Sequence, residues 1–155
     1  MKASLTLLTA AAMLSVPGAA IAKPVTITAK LADYGGYPAY IAVYVVDKAG
    51  AYQKTLWVAG SKARYYRHLS AWERAAGRSA RLDGITGASI GSGRSLTVHA
   101  ELADTMIDAG YRIQVDTAYE EGTERPAEVA FPLEAARAGK PVAGRGTVQS
   151  FTVSF

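Results

Sequence analysis

From Tyr40 to Val46 the chain reads Tyr-Ile-Ala-Val-Tyr-Val-Val, an aromatic and β-branched run with no charged or amide side chain. Such residues favour extended backbone, and the run is far too short to cross a bilayer, so it predicts a central strand. The flanking segments carry the second signature of strands, a period of two. Val25, Ile27, Ala29 and Leu31 alternate with Thr26, Thr28 and Lys30, as do Tyr111, Ile113, Val115, Thr117 and Tyr119 with their neighbours. Tyr34-Gly35-Gly36-Tyr37-Pro38 breaks the first strand, and Asp47-Lys48-Ala49-Gly50 predicts a turn into a hairpin partner over Tyr52–Val58. Ser95–Glu101, Val129–Leu133 and Val148–Phe155 complete the strands, the last with Phe151, Val153 and Phe155 on one face. Glu120-Glu121-Gly122 closes one strand, and Gly139–Gly146 is a polar, glycine-rich connection.

One stretch has helical periodicity instead. Over Ser61–Ala76 the side chains of Tyr65, Leu69, Trp72 and Ala76 fall in a narrow arc, with Arg64, Arg67 and Arg74 opposite. Ser70 and Glu73 have capping-box spacing, which allows a fresh helix start at Ser70, and Gly77 is a natural stop. Seven short strands, one helical crossover and no internal repeat predict a mainly β fold: an immunoglobulin-like antiparallel β-sandwich.

Residues 1–22 have the pattern of an export signal: Lys2, an apolar run from Leu5 to Val16, and Ala20-Ile21-Ala22 as a small-x-small cleavage site. Cleavage after Ala22 leaves residues 23–155 as a single periplasmic domain, not embedded in the membrane. That length suits one core that needs no staples. Cysteine is absent, which excludes disulfides, iron–sulfur clusters, c-type haem attachment and thiolate metal sites. With only His68 and His99, a zinc site would need carboxylates, and no metal is expected.

Charge is unevenly spread. Lys62, Arg64, Arg67, Arg74, Arg78, Arg81 and Arg94 are opposed between positions 62 and 94 only by Glu73 and Asp83, a net of +5 in a mature chain of net +3. Such a window is commonly a solvated face; it also makes a field that favours an anionic ligand. Nucleic acid is not the expected partner, because no nucleic-acid motif accompanies the charge.

Within that window lies Asp83-Gly84-Ile85-Thr86-Gly87-Ala88-Ser89-Ile90. Gly87-Ala88-Ser89-Ile90-Gly91 matches the G-x-S-x-G elbow of α/β-hydrolases, but no strand–helix alternation surrounds it and the one later histidine is His99. Gly84, Gly87, Gly91 and Gly93 fit neither a Walker loop nor a dinucleotide fingerprint. A plain glycine-rich turn between strands is the simplest account of the same residues.

The loop resembles the flavinylation motif of FMN-binding domains in membrane redox complexes: Asp, two small or aliphatic residues, Ser or Thr, Gly-Ala, then a hydroxyl. Ser89 stands at the acceptor position, where Thr is commoner, and Gly84 where Ala is commoner. The resemblance implies covalent FMN on the Ser89 oxygen through a phosphoester, with Asp83, Thr86, Gly87 and Ala88 shaping the loop. A separate flavin transferase would supply FAD and a metal ion. Thr86 and Asp83 are expected to hold the loop through side-chain-to-backbone hydrogen bonds.

Tyr40–Asp47, Lys54-Thr55-Leu56-Trp57, Tyr66-Arg67-His68-Leu69, Trp72 and the loop together resemble a DUF family of small predicted periplasmic proteins, over about Tyr37–Tyr119. His99-Ala100-Glu101 stands where that family has Trp-Asp-Gly. Members resemble immunoglobulin-like modules and accompany PepSY-type membrane proteins and iron-uptake components. The resemblance implies an exported flavin carrier in extracytoplasmic electron transfer, served by a PepSY-type membrane reductase, rather than a stand-alone enzyme. No catalytic base is then required of this chain, and Tyr66 and Trp72 are candidate ring contacts or core residues. The alternative is a non-catalytic periplasmic binding module that presents the Tyr34–Pro38 loop and the basic helix to a partner.

Overall fold

The computed structural model describes residues 20–77, 82, 84–120 and 122–155. The strands are β1 (Ala22–Leu31), β2 (Tyr40–Val46), β3 (Tyr52–Ala59), β4 (Thr86–Gly87), β5 (Ser95–Ala103), β6 (Arg112–Ala118), β7 (Arg125–Pro132) and β8 (Val148–Ser154). They form a three-stranded sheet, β5-β1-β8, and a five-stranded sheet, β4-β3-β2-β6-β7. All pairings are antiparallel except β3 with β4. The mainly β sandwich expected from the alternating runs is therefore the architecture observed. Its likeness to immunoglobulin domains is architectural. Here the first strand lies at the centre of the smaller sheet, whereas an immunoglobulin domain begins on an edge strand.

The sheets face each other across a core of Val25, Ile27, Leu31, Ile41, Val43, Val45, Ile113, Val115, Phe131, Phe151 and Val153, with Phe131 and Phe151 rings 6.0 Å apart. A third layer explains the uninterrupted apolar run of β2. A 3-10 turn (Ala63–His68) and helix α1 (Ser70–Ala76) lie on the outer face of the larger sheet, where Leu69, Trp72 and Ala76 pack on Tyr40, Ala42, Tyr44, Val46 and Val58. Every residue of β2 is consequently buried. Arg64, Arg67 and Arg74 are exposed, as the helical arc predicts, while Arg78 and Arg81 lie outside the described residues.

The capping expected from Ser70 is supplied by another element. Ser70 makes no side-chain cap; the buried Asp116 of β6 accepts from the N–H groups of Ala71 and Trp72, both at 2.8 Å. Its other oxygen accepts from Tyr44 Oη at 3.0 Å and Ala127 N at 2.8 Å. Ala127 has φ 45°, a left-handed conformation at the irregular β6–β7 pairing, and the Asp116 carboxylate holds it there. Beside this group, Trp72 donates its indole N–H to Thr55 Oγ1 at 2.9 Å.

A second buried carboxylate closes one seam between the sheets. Glu128 of β7 accepts from Thr147 N and Val148 N at 2.6 and 2.8 Å and from Thr117 Oγ1 at 2.5 Å. Both buried acids are thus fully hydrogen-bonded, the condition under which burial of a carboxylate is tolerable. The 139–144 connection covers the outer edge of β8 through Gly139, Val142 and Gly144.

The turns 47–51, 104–111 and 133–139 gather at one end of the sandwich. The segments 32–39, 60–62, 84–94, 119–124 and 144–147 gather at the other, which is the end that carries the candidate site.

Candidate functional site

The loop that contains Ser89 is fastened by its backbone. Val58 N donates to Ile85 O at 2.9 Å and Gly60 N to Gly87 O at 2.7 Å, making Thr86–Gly87 the short parallel edge strand β4. Three residues on, Ile90 and Ala39 exchange both backbone hydrogen bonds, at 2.7 and 2.9 Å. Ser92 Oγ then donates to Asp33 Oδ1 at 3.0 Å and accepts from Gly35 N at 2.9 Å. Ser89 lies in the short span between two fixed points. The Ala39↔Ile90 bridge puts it at the register position of Tyr40.

Gly87 is required by packing. A Cβ there would lie 2.8 Å from Trp57 Cζ2, so only glycine lets β4 close against the indole. Trp57 is half-buried, and its Nε1 has no partner among the described residues. With Gly84, Ile85, Lys54, Thr55 and His99 it lines a small groove of about 170 Å³ at the open seam between β3 and β5. Thr86 and Ala88 are exposed and Ser89 half-buried. Among the described residues, neither Thr86 nor Ser89 makes a side-chain hydrogen bond. The expected bracing by Thr86 is therefore replaced by main-chain pairing, and Asp83 lies outside the described residues.

Electrostatics around this end come from the 3-10 turn. Lys62 is two residues beyond Gly60, the residue that grips Gly87. Its Nζ lies 3.1 Å from Glu120 Oε1 and 5.7 Å from the Tyr65 ring, over which Arg64 also sits at 4.9 Å. Tyr65 in turn packs on Tyr40, ring to ring at 5.4 Å. The Lys62 ammonium, first among its neighbours, holds Glu120 below the ordinary carboxylate range, with Tyr40 Oη also donating to it.

The remaining sequence candidates have contacts of their own. Trp72 is 3% exposed beneath the helical layer, and Tyr66 donates its hydroxyl to Gly60 O while meeting Trp72 edge-on at 5.9 Å. Trp72 is therefore a core residue, closed to any ring stacked from outside, while Tyr66 is half-buried. Neither histidine activates Ser89: His99 contacts Thr26 Oγ1 on the smaller sheet, and His68 pairs with Glu124 at 2.7 Å. The elbow-like sequence is thus a strand-edge turn with no base hydrogen-bonded to Ser89 among the described residues. Among the described residues no group of three His, Asp or Glu could hold a metal, and no helix is long and apolar enough to cross a membrane.

Two features at this end go beyond the roles read from sequence. Trp57 enters the sequence reading only as part of the family likeness, and its contact with Gly87 reveals that it shapes the loop. A cleft of about 360 Å³ also opens between Tyr34, Gly35, Tyr37, Tyr119, Gly122, Arg125 and Gly146. Its walls come from three separate stretches of chain, so no local motif could announce it.

No curated protein and no solved structure matches the chain. A family model described as "Predicted periplasmic protein (DUF2271)" matches residues 22–150, from the first residue of β1 into β8 and so across both sheets. That span extends beyond the Tyr37–Tyr119 likeness in both directions, and the family's periplasmic description agrees with the export signal read in the leader. The chain belongs to this family of periplasmic proteins.

Proposed function

We propose that this protein is a periplasmic flavin carrier with FMN attached to Ser89, serving electron transfer between a membrane redox protein and a periplasmic acceptor. The observation that carries the reading is the state of the loop: backbone fixed at Ile85, Gly87 and Ile90, Ala88 exposed, and the Ser89 hydroxyl engaged by no described residue. A modifying enzyme needs a thin, protruding segment whose acceptor hydroxyl is not already committed. The small Gly87-Ala88 pair next to Ser89 meets that need.

The residues present fit the group. Attachment forms a bond from Ser89 Oγ to the flavin-side phosphorus of FAD as the pyrophosphate bond to AMP breaks; AMP leaves, and the hydroxyl proton passes to the transferase. Arg64, four residues beyond Gly60 and exposed over the Tyr65 ring, would supply positive field for the phosphodiester left behind, while the Lys62 charge is largely offset by Glu120. FMN, once attached, contributes the redox chemistry, while the protein contributes placement and charge. A PepSY-type membrane reductase is the proposed electron donor, and a link to iron uptake follows from the company that the resembling family keeps.

The test is co-expression with a flavin transferase, then denaturing gel electrophoresis under blue light. Wild-type protein should retain flavin fluorescence and Ser89→Thr should keep or improve it, since Thr is the commoner acceptor. Ser89→Ala should lose it while remaining folded. A dark wild-type band, with the transferase shown active on a second substrate, would overturn the proposal.

A further inference from the structure

Among the described residues Arg125 is a cation with no anionic partner. It begins β7 at the floor of the 360 Å³ cleft, and its guanidinium lies flat on Gly146, where a Cβ would stand 2.6 Å from Cζ. Its Nε–H is buried with no hydrogen-bond partner, and its one hydrogen bond among the described residues is a long 3.3 Å bond from Nη1 to Arg145 O. The neighbouring acids among the described residues are taken. Glu124 is paired with His68, Glu120 with Lys62, and Glu128 is saturated by Thr117, Thr147 and Val148. Arg145 is tied to the carbonyls of Pro126 and Ala127. A guanidinium held rigid, partly desolvated and short of acceptors is arranged for an anion that arrives from outside, and its fork suits a carboxylate.

The rest of the cleft is aromatic. Tyr34 and Tyr119 meet with centroids 4.7 Å apart, and Tyr119 is fixed by a 2.8 Å hydrogen bond to Thr147 Oγ1. Tyr34 is held by donation to Tyr37 O at 3.1 Å. Tyr37, at 52%, is the one exposed large apolar side chain among the described residues that lies beyond the cleavage site. Gly35 has φ 68° with open space where a side chain would stand, so the rim on that side is bare backbone. Flat apolar walls around one fixed cation select a flat, apolar anion. The volume lies at the small end of ligand pockets, enough for one or two fused rings.

We infer that the Tyr34–Tyr37–Tyr119–Arg125 cleft binds a small planar aromatic carboxylate, its ring against the tyrosine wall and its carboxylate on Arg125. This site is independent of Ser89 and of its modification. A bound ring would contact loops 34–37 and 119–125 and the 144–147 turn together, so occupancy would tie these three segments at the same end as the Ser89 loop.

The test uses unmodified Ser89→Ala protein, so that flavin plays no part, titrated with 2-naphthoate and followed by isothermal calorimetry and tyrosine ring NMR. Saturable one-site binding is expected with Kd of about 1 mM or tighter, the yield of a ligand this size at ordinary efficiency. Cyclohexanecarboxylate, 2-naphthalenemethanol and inorganic phosphate, each lacking one half of the recognition, should bind at least about tenfold more weakly. Arg125→Gln should weaken 2-naphthoate by a similar factor and Arg125→Lys by less, because lysine keeps the charge but not the fork. Should Arg125→Gln not fold, Tyr37→Ser changes only an exposed wall and should still weaken binding several-fold. No saturable response, equal binding of the three control compounds, or affinity untouched by the cleft variants would overturn the inference.

Discussion

Helix α1 and the Ser89 loop both cover the five-stranded sheet, one on its face and one on its edge, and they are held in opposite ways. Under α1 a side-chain network does the holding: Asp116 takes four donors, Trp72 reaches Thr55, and Thr55 reaches Tyr52. The 84–90 loop is held by main-chain bonds and one close contact, Gly87 on Trp57, with Thr86 and Ser89 left uncommitted. Side-chain networks fix a unique packing at high cost if broken, whereas main-chain pairing fixes position and leaves side chains free for chemistry. The first region is built for stability and the second for access.

The sharpest way to break this contrast is Asp116→Ala. It strands two helix N–H groups, the Tyr44 hydroxyl and the Ala127 N–H in the interior, and should cost about 3–5 kcal/mol in denaturant unfolding. A loss below about 1 kcal/mol would mean that water or a rearranged α1 replaces the carboxylate. At the loop, Gly87→Val drives a side chain into the indole and should cost about 1–3 kcal/mol, with a shifted Trp57 emission and poorer flavin attachment. Unchanged emission would show that β4 does not rest on Trp57.

Alkaline titration reads the packing under α1, through Tyr44, beside that of the Tyr34 cleft. Burial first, and then the neighbouring Tyr119, pushes the Tyr34 hydroxyl up to about 12, while burial, then the charge of Asp116 and its hydrogen bond, raises Tyr44 further. Groups that titrate higher when folded hold more protons in the native state, so their contribution is intact below about pH 10 and falls as pH rises beyond it. Stability measured from pH 8 upward should stay level and then decline above about pH 10. Tyr44→Phe should flatten part of that decline. A decline that begins near neutrality would implicate other groups. The smallest effect belongs to Ser89→Ala, expected within about 0.5 kcal/mol of wild type because a hydroxyl with no described partner contributes little.

The strands were legible because each buries a face, and burial writes a period into the sequence. The β1 alternation, the β2 run and the Asp47 turn, where Asp47 Oδ1 accepts from Ala49 and Ala51 at 2.9 Å, all appear where the residues put them. The two-piece helix was legible from the Leu69, Trp72 and Ala76 arc. Its cap was not, because the partner, Asp116, lies 45 residues from Ala71 in a strand where it occupies the polar phase of an alternating pattern. The β4 pairing was equally hidden: Thr86–Gly87 is two residues long and parallel, with no period to detect. The resemblance gave Gly87 a part in shaping the loop; its closeness to Trp57 is a fact of tertiary packing. Arg125 was invisible for the same reason, since a cation without an anion is defined by what its neighbours already bind.

The central claim is that the Ser89 oxygen carries FMN. Trypsin cuts after Arg81 and Arg94, releasing Leu82–Arg94 with three hydroxyls, Thr86, Ser89 and Ser92. Fragmentation mass spectrometry of that peptide, from protein co-expressed with an active flavin transferase, should place the mass of FMN less water on Ser89. An unmodified peptide, or an adduct on Thr86 or Ser92, would contradict the account.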